Sequence, residues 1–287
     1  MQILHRIFDW IGIPILAGLS VCLFFTEEKF QLRKRVQSKW KRSIINNIIS
    51  IPSFLLLRFM FLPIMIWLTI KNEHLNFGLN YIYNLPVWME AAIAFLVFDY
   101  TNYLWHTLNH KLPLLWRFHI VHHSDPDLDI STATRFHFGE LIGSVFFRGA
   151  FVFLSGATPL MVIVYEIIFE AANLFHHSNT RLPVRVEKGL SKIIVTPRMH
   201  GIHHSIYQNE ADSNYAVIFS FWDRLHHTFN LKIPQDAITI GVPAYNDSNE
   251  LTAVFLLKLP FTKIRKWKEN NVERRNEVAY KNPVEEI

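Results

Sequence analysis

Histidine occurs twice in the five-residue pattern His-x-x-His-His, as His119, His122 and His123 and again as His200, His203 and His204. On a helix, positions i, i+3 and i+4 share one face, so each run aims three imidazoles in one direction. With 15 histidines in 287 residues, chance yields the pattern roughly 0.04 times per chain. Two copies therefore ask for a cause, and neutral imidazole is a ligand for zinc, iron, copper or nickel. His106 and His110, at i, i+4 spacing just upstream, add a third pair. These three runs hold more imidazoles than the roughly four a closed structural site takes. They predict two neighbouring metal ions with coordination positions left open.

The elements that must carry these runs are apolar. Half of the residues are hydrophobic, only 18% are charged and the mean hydropathy is +0.15, which sets the chain apart from ordinary soluble domains. The first apolar run, residues 10–25, is marginal against the roughly 20 residues of a membrane span. Thr26, Glu27, Glu28 and Lys29 follow it in place of a small-residue cleavage site, so it reads as an anchor and not as a signal peptide. The second, 44–70, holds Arg58 with Pro52 and Pro63, and predicts a kinked helix with Arg58 buried in the bundle or reaching for the interface. The third, 87–105, runs directly into His106. The fourth, 141–175, is broken at 155–159 and predicts two apolar helices joined by a turn, as a full or a re-entrant hairpin. Thr196 followed by Pro197 marks a capped helix start, which places His200, His203 and His204 in its first two turns.

Seven Lys or Arg residues lie in 26–42 and one in 71–85, so the positive-inside rule places the former segment in the cytoplasm. If the second and third runs both cross, His106 returns to that side, and an even number of crossings in the fourth keeps the later histidines there. The expected fold is all-α: a polytopic membrane bundle of about four transmembrane or re-entrant helices, with a cytoplasmic helical cap carrying the histidines. Residues 1–86 form an N-terminal transmembrane region, and 231–287 a cytoplasmic extension, partly membrane-surface or flexible, with a basic surface helix from Lys263 onward. The net charge of +5 fits anionic lipid headgroups better than nucleic acid, for which no module is visible. The single cysteine, Cys22, excludes a disulfide framework and a cysteine-based metal site.

The histidine runs also have company. Asp99 and Tyr103 precede His106-x3-His110, Trp116 and Ser124 flank His119-x2-His122-His123, and Arg135-x-His137 and His177-Ser178-Asn179 follow. Pro197-Arg198 precedes the last run, and Asn214-Tyr215 and Trp222-Asp223-Arg224-Leu225 come after it. This series resembles the fatty acid hydroxylase and sterol desaturase superfamily of integral membrane oxidoreductases. The resemblance implies that 87–230 is the catalytic domain. It implies two iron ions held by His106, His110, His119, His122, His123, His137, His177, His200, His203 and His204, with O2 as co-substrate. Asp99, Asp125, Asp127, Glu140 and Asn173 are then candidate outer hydrogen-bond partners of the imidazoles, and His176 is the alternative to His177. The chain departs from the pattern at His226 and His227, where many members have Phe-Gly, and at Ala216, where Gly is common; these read as packing variants.

An alkyl C–H bond has neither an acidic proton nor a leaving group, so side-chain acid–base chemistry does not break it, and a metal centre has to. The expected activity is O2-dependent hydroxylation or desaturation of a membrane lipid: sterol, fatty acyl or related. Electrons come from a separate donor of the cytochrome b5, ferredoxin or flavoprotein type. The competing enzyme class is a di-zinc membrane hydrolase, against which stand the few carboxylates near the histidines and the lack of a His-Glu-x-x-His base. The competing class without catalysis is an inactive, histidine-rich metal-binding membrane protein.

Overall fold

The computed structural model describes residues 7–83 and 85–267. Among these the chain is helical, with no strand beyond three isolated bridges. Four helical runs are long and apolar enough to cross a membrane. The first is α1 (Phe8–Lys29), whose opening turn, Phe8–Gly12, is π-helical. The second is α2, formed by Lys39–Leu56, a π turn at Leu57–Phe61 and Leu62–Leu75. The expected kink is that π turn, seated between Pro52 and Pro63, where missing N–H donors loosen the ladder. Arg58 lies within it and donates to Asp9 of α1 at 2.9 Å, so its charge is met by an acid on the neighbouring helix.

Helix α3 (Val87–Lys111) is 25 residues long, enough for about 37 Å. It is more polar than the other four because its buried face carries Asp99, Asn102, His106 and Asn109. It stops at Leu112, where Pro113 opens α4 (Pro113–His123). Helices α5 (Phe138–Ser155) and α6 (Pro159–His177) make a full hairpin, each about 27 Å long. Gly156, at φ +69°, turns the chain where a side chain would be strained, and Thr158 caps α6 by accepting from Met161 N. Both free ends of the hairpin therefore lie at the end where α3 delivers His106 and His110.

Phe61 and Met65 of α2, Phe98 of α3, Val145 of α5 and Tyr165 of α6 share one buried cluster, which joins the long helices. Above the histidine end sit short helices: α7 (Val184–Leu190), α8 (Pro197–His203) and α9 (Phe221–Leu225). Residues 231–267 are irregular, with one short helix, α10 (Ala253–Lys258), and they are packed against the bundle. Val242, Tyr245, Leu251 and Leu256 are buried against Ile120 and Val121 of α4 and Ile49 of α2, a contact that holds the first histidine helix from behind. The surface helix expected from Lys263 does not start there. Residues 263–267 are non-helical, because Arg265 is drawn to the Ala244 carbonyl and Glu250, and Trp267 Nε1 donates to the Ile206 carbonyl. The rest of that expected helix falls outside the described residues.

Candidate metal centre

Two groups of imidazoles meet at the end of the bundle. His106 and His110 from α3, His119 and His123 from α4 and His203 from α8 form one; His122 from α4, His177 from α6, and His200 and His204 from α8 and its cap form the other. Each His-x-x-His-His run thus splits between the groups. A helix advances 100° per residue, so adjacent histidines diverge while i and i+4 converge. His123 and His204 lie ring on ring at 4.3 Å, which is where the two groups touch.

Within each group the ligand nitrogens lie within 4.8 Å of one another. Nε2 to Nε2 separations are 3.1 Å for His110 and His123, 3.0 Å for His122 and His177, 2.9 Å for His177 and His200, and 3.1 Å for His200 and His204. Two nitrogens about 2.1 Å from a shared ion and roughly at right angles to each other are about 3 Å apart, so the spacing is that of a coordination shell. The Nε2 atoms of His106, His119 and His203 are buried and have no hydrogen-bond partner among the described residues, a condition a metal ion relieves.

The outer nitrogens show how the rings are aimed. His106 Nδ1 donates to the Tyr215 carbonyl, His203 Nδ1 to the Ser213 carbonyl and His177 Nδ1 to the Asn173 carbonyl, each at 2.8 Å. His119 Nδ1 faces both oxygens of Glu140 at 3.1 Å, and Glu140 is further held by Asn109 Nδ2. Such bonds leave each Nε2 unprotonated and directed inward. Removing the carboxylate should loosen the five-histidine group: Glu140→Leu is expected to lower its metal affinity by about 10–100-fold, read by competitive titration with a chelator, and Glu140→Gln by less.

Two expected site residues stand elsewhere, and a third takes part through its backbone. His137 caps α5, accepting from Gly139 N at Nδ1 while Nε2 lies 3.1 Å from the Leu257 carbonyl. Both its nitrogens are occupied by backbone and its ring packs on Phe118 and Phe138, so it belongs to neither imidazole group. Asp99 accepts from Trp222 Nε1 and Phe219 N, tying the cap to α3 and touching no imidazole. Asn173 contributes its carbonyl, whereas its side chain donates to Ala133 O. The His176 ring lies tilted 4.2 Å from the His200 ring, with Nδ1 on the Val217 carbonyl. His226 and His227 are exposed, the former stacked on Tyr103.

Sequence reasoning missed the brace behind α4. Arg42 of α2 donates to both oxygens of Asp125, to Asp129 and to the Asp127 carbonyl, all buried two to six residues past His123. Arg135 joins from the other side through the Val121 carbonyl, Ser124 and Asn46. Burial alone would raise the Asp125 carboxyl, but the two guanidinium groups override it and hold it at about 2. Asp125 and Asp127, expected as partners of the imidazoles, pair instead with Arg42 and with the backbone of residues 36 and 37, and nothing along the chain pointed to Arg42.

Burial, reinforced by neighbouring imidazoles, pushes His122, His123, His200 and His204 well below the ordinary 6.5 and His203 down to about 3. They are neutral at pH 7, as ligands must be. Because their folded values lie below the unfolded ones, the unfolded chain takes up protons first as pH falls below 6.5, and stability declines. Metal-free protein is expected to lose up to about 1.4 kcal/mol per pH unit for each such histidine between pH 6.5 and 4, seen as a steep acid drop in thermal midpoint.

A cavity of about 800 Å³ reaches this centre from within the bundle. Its walls are Ile and Leu side chains of α1 and α2 together with Trp105, Phe136 and Phe169, and its inner end carries His106, His119, His122, His177 and His200. That is the size and character of a small-molecule site. Residues 91–228 match the family described as Fatty acid hydroxylase. Over that stretch, just under half of its length, the chain is of the fatty acid hydroxylase and sterol desaturase superfamily. Among its relatives in this superfamily, an ornithine lipid hydroxylase from Rhizobium tropici is 30% identical over 55% of this chain and 46% of that protein. An alkylglycerol monooxygenase from Danio rerio is 30% identical over 67% and 41%, and cholesterol 25-hydroxylase from Mus musculus 29% identical over 59% and 56%. The chain thus spans about half the length of these relatives. No solved structure matches it. The superfamily match runs from α3 to just past α9 and takes in both imidazole groups.

Proposed function

We propose that this chain is a membrane-bound, O2-dependent oxidoreductase that hydroxylates an unactivated C–H bond of a lipid, with two iron ions held by the two histidine groups. The observation that carries the reading is the cavity, which joins lipid-facing helices to both groups of imidazoles. The names of the relatives, a lipid hydroxylase, an alkylglycerol monooxygenase and a cholesterol hydroxylase, favour oxygen insertion over desaturation. When bound, two irons supply the electron-accepting and O2-activating chemistry that no side chain here provides.

The chain's own residues do the rest. His106, His110, His119, His123 and His203 hold one ion, and His122, His177, His200 and His204 the other. Tyr215, Ser213, Asn173 and Glu140 keep the rings turned inward. The apolar walls hold an alkyl chain in one line against the centre and keep bulk water from it. Electrons arrive from a separate donor protein on the cap side, which the excess of basic residues in 26–42 assigns to the cytoplasm.

Purified protein in lipid nanodiscs, loaded with iron, is expected to bind about two ions per chain and to incorporate label from 18O2 into extracted lipid only when a reductant is supplied. A zinc-loaded protein that cleaves ester or phosphate bonds without O2 would overturn the proposal in favour of a hydrolase. A double bond with no label in the lipid would replace hydroxylation by desaturation.

A further inference from the structure

The cavity holds a second polar end. Arg148 of α5 and Glu170 of α6 line it together with the histidines, and Glu166 lies one turn beyond Glu170. Glu170 is seven residues before His177, roughly 10 Å along α6, and Arg148 eight residues after Glu140, the partner of His119, roughly 12 Å along α5. Ionisable groups at that depth in membrane-crossing helices are costly, and they mark a site unless they are neutralised in place.

Arg148 is neutralised. Its guanidinium donates to Glu166 and lies over the rings of Phe61 and Phe169 at 4.6 and 5.0 Å. That pair suffices to bind α5 to α6, and it leaves Glu170 over. The one hydrogen bond that Glu170 receives among the described residues is a 3.5 Å contact from Asn173 Nδ2, which donates better, at 2.9 Å, to the Ala133 carbonyl. The three groups therefore carry one surplus carboxylate, facing an apolar cavity whose other end is the metal centre.

We propose that Glu170, backed by the Arg148–Glu166 pair, is a polar subsite that takes the hydroxyl or ammonium group of the lipid, and so sets which carbon reaches the histidines. This rests on the reading of the cavity as the lipid site. A surplus carboxylate accepts from an alcohol or amine and repels a carboxylate headgroup. With C–C bonds of about 1.5 Å in zigzag, 10–12 Å places the oxidised carbon roughly eight to ten atoms from the polar group. The substrate class is an amphiphile with a hydrogen-bond-donating end, held by that end deep in the cavity.

The test compares hexadecanol, hexadecylamine, hexadecanoate and hexadecane as ligands of the iron-loaded full chain in phosphatidylcholine nanodiscs, by native mass spectrometry. Wild type is expected to bind the alcohol and the amine at least about tenfold more tightly than the acid and the alkane. Glu170→Leu should erase that preference, and Glu170→Gln should keep the alcohol and lose the amine. Equal binding of all four probes by wild type overturns the subsite without any variant, and so does an unchanged preference in folded Glu170→Leu. Iron content and 18O incorporation are measured on the same samples. Normal iron and turnover without headgroup preference overturn only the subsite; preference without iron or turnover upholds it and overturns the oxidoreductase reading.

Discussion

His203→Ala is expected to leave the helices assembled, lower bound iron from about two ions per chain to about one, and reduce lipid turnover by at least a thousandfold. His203 occupies the five-histidine group, its Nε2 is buried without a partner, and its ring is aimed by the bond from Nδ1 to the Ser213 carbonyl. Removing it leaves a gap in one coordination shell and does not disturb the other. His137→Ala is the informative contrast. The family resemblance counts His137 among the ligands, yet its two nitrogens serve the start of α5 and the Leu257 carbonyl. This variant should keep both irons and most of the turnover while losing about 1 kcal/mol of stability with the helix cap. Metal analysis of both proteins, with turnover measured on the same preparations, decides the matter. A loss of iron in His137→Ala equal to that in His203→Ala would mean that the ring leaves its cap to bind metal.

The second large effect falls on Arg42. Arg42→Met removes the cation that faces Asp125 and Asp129, both fully buried, and should cost about 3–5 kcal/mol by leaving their charges unpaired. Arg135 approaches Asp125 only at 3.9 Å and is already engaged with Asn46, Ser124 and the Val121 carbonyl, so it does not compensate. Thermal unfolding of the purified variant should show the loss. Because Asp125 stands two residues past His123, iron binding to the four-histidine and five-histidine groups should weaken together. Adding Asp125→Leu and Asp129→Leu to Arg42→Met should recover part of the midpoint, since the uncompensated charges are then gone. No recovery would show that Arg42 acts through packing.

The membrane helices were legible because apolar runs of this length answer to one physical demand, satisfaction of every backbone group without water. The break at 155–159 announced the hairpin, but that its two arms are both full-length helices, with their free ends at α3, became clear only in the fold. The His-x-x-His-His runs announced a metal site, since no other common packing role asks for three imidazoles within two turns of a helix. Glu140 was legible as a partner through its nearness in sequence to the histidines. Asp99, chosen for lying inside an apolar helix, instead secures Trp222 and Phe219 of the cap, because a buried carboxylate is satisfied by whichever donors the fold brings, and sequence position does not name them.

By itself, then, the amino-acid order determined the membrane class, the number of long apolar segments, the superfamily and the imidazoles from which a metal centre is built. These are local properties, set by hydropathy and by the 3.6-residue turn. Only the tertiary structure decided how His119 and His123 part from His122, that His137 faces away, that Arg42 braces the centre from another helix and that Glu170 shares its cavity. Those are relations between segments tens of residues apart, fixed by packing and by the pairing of buried charges, and no spacing along the chain encodes them.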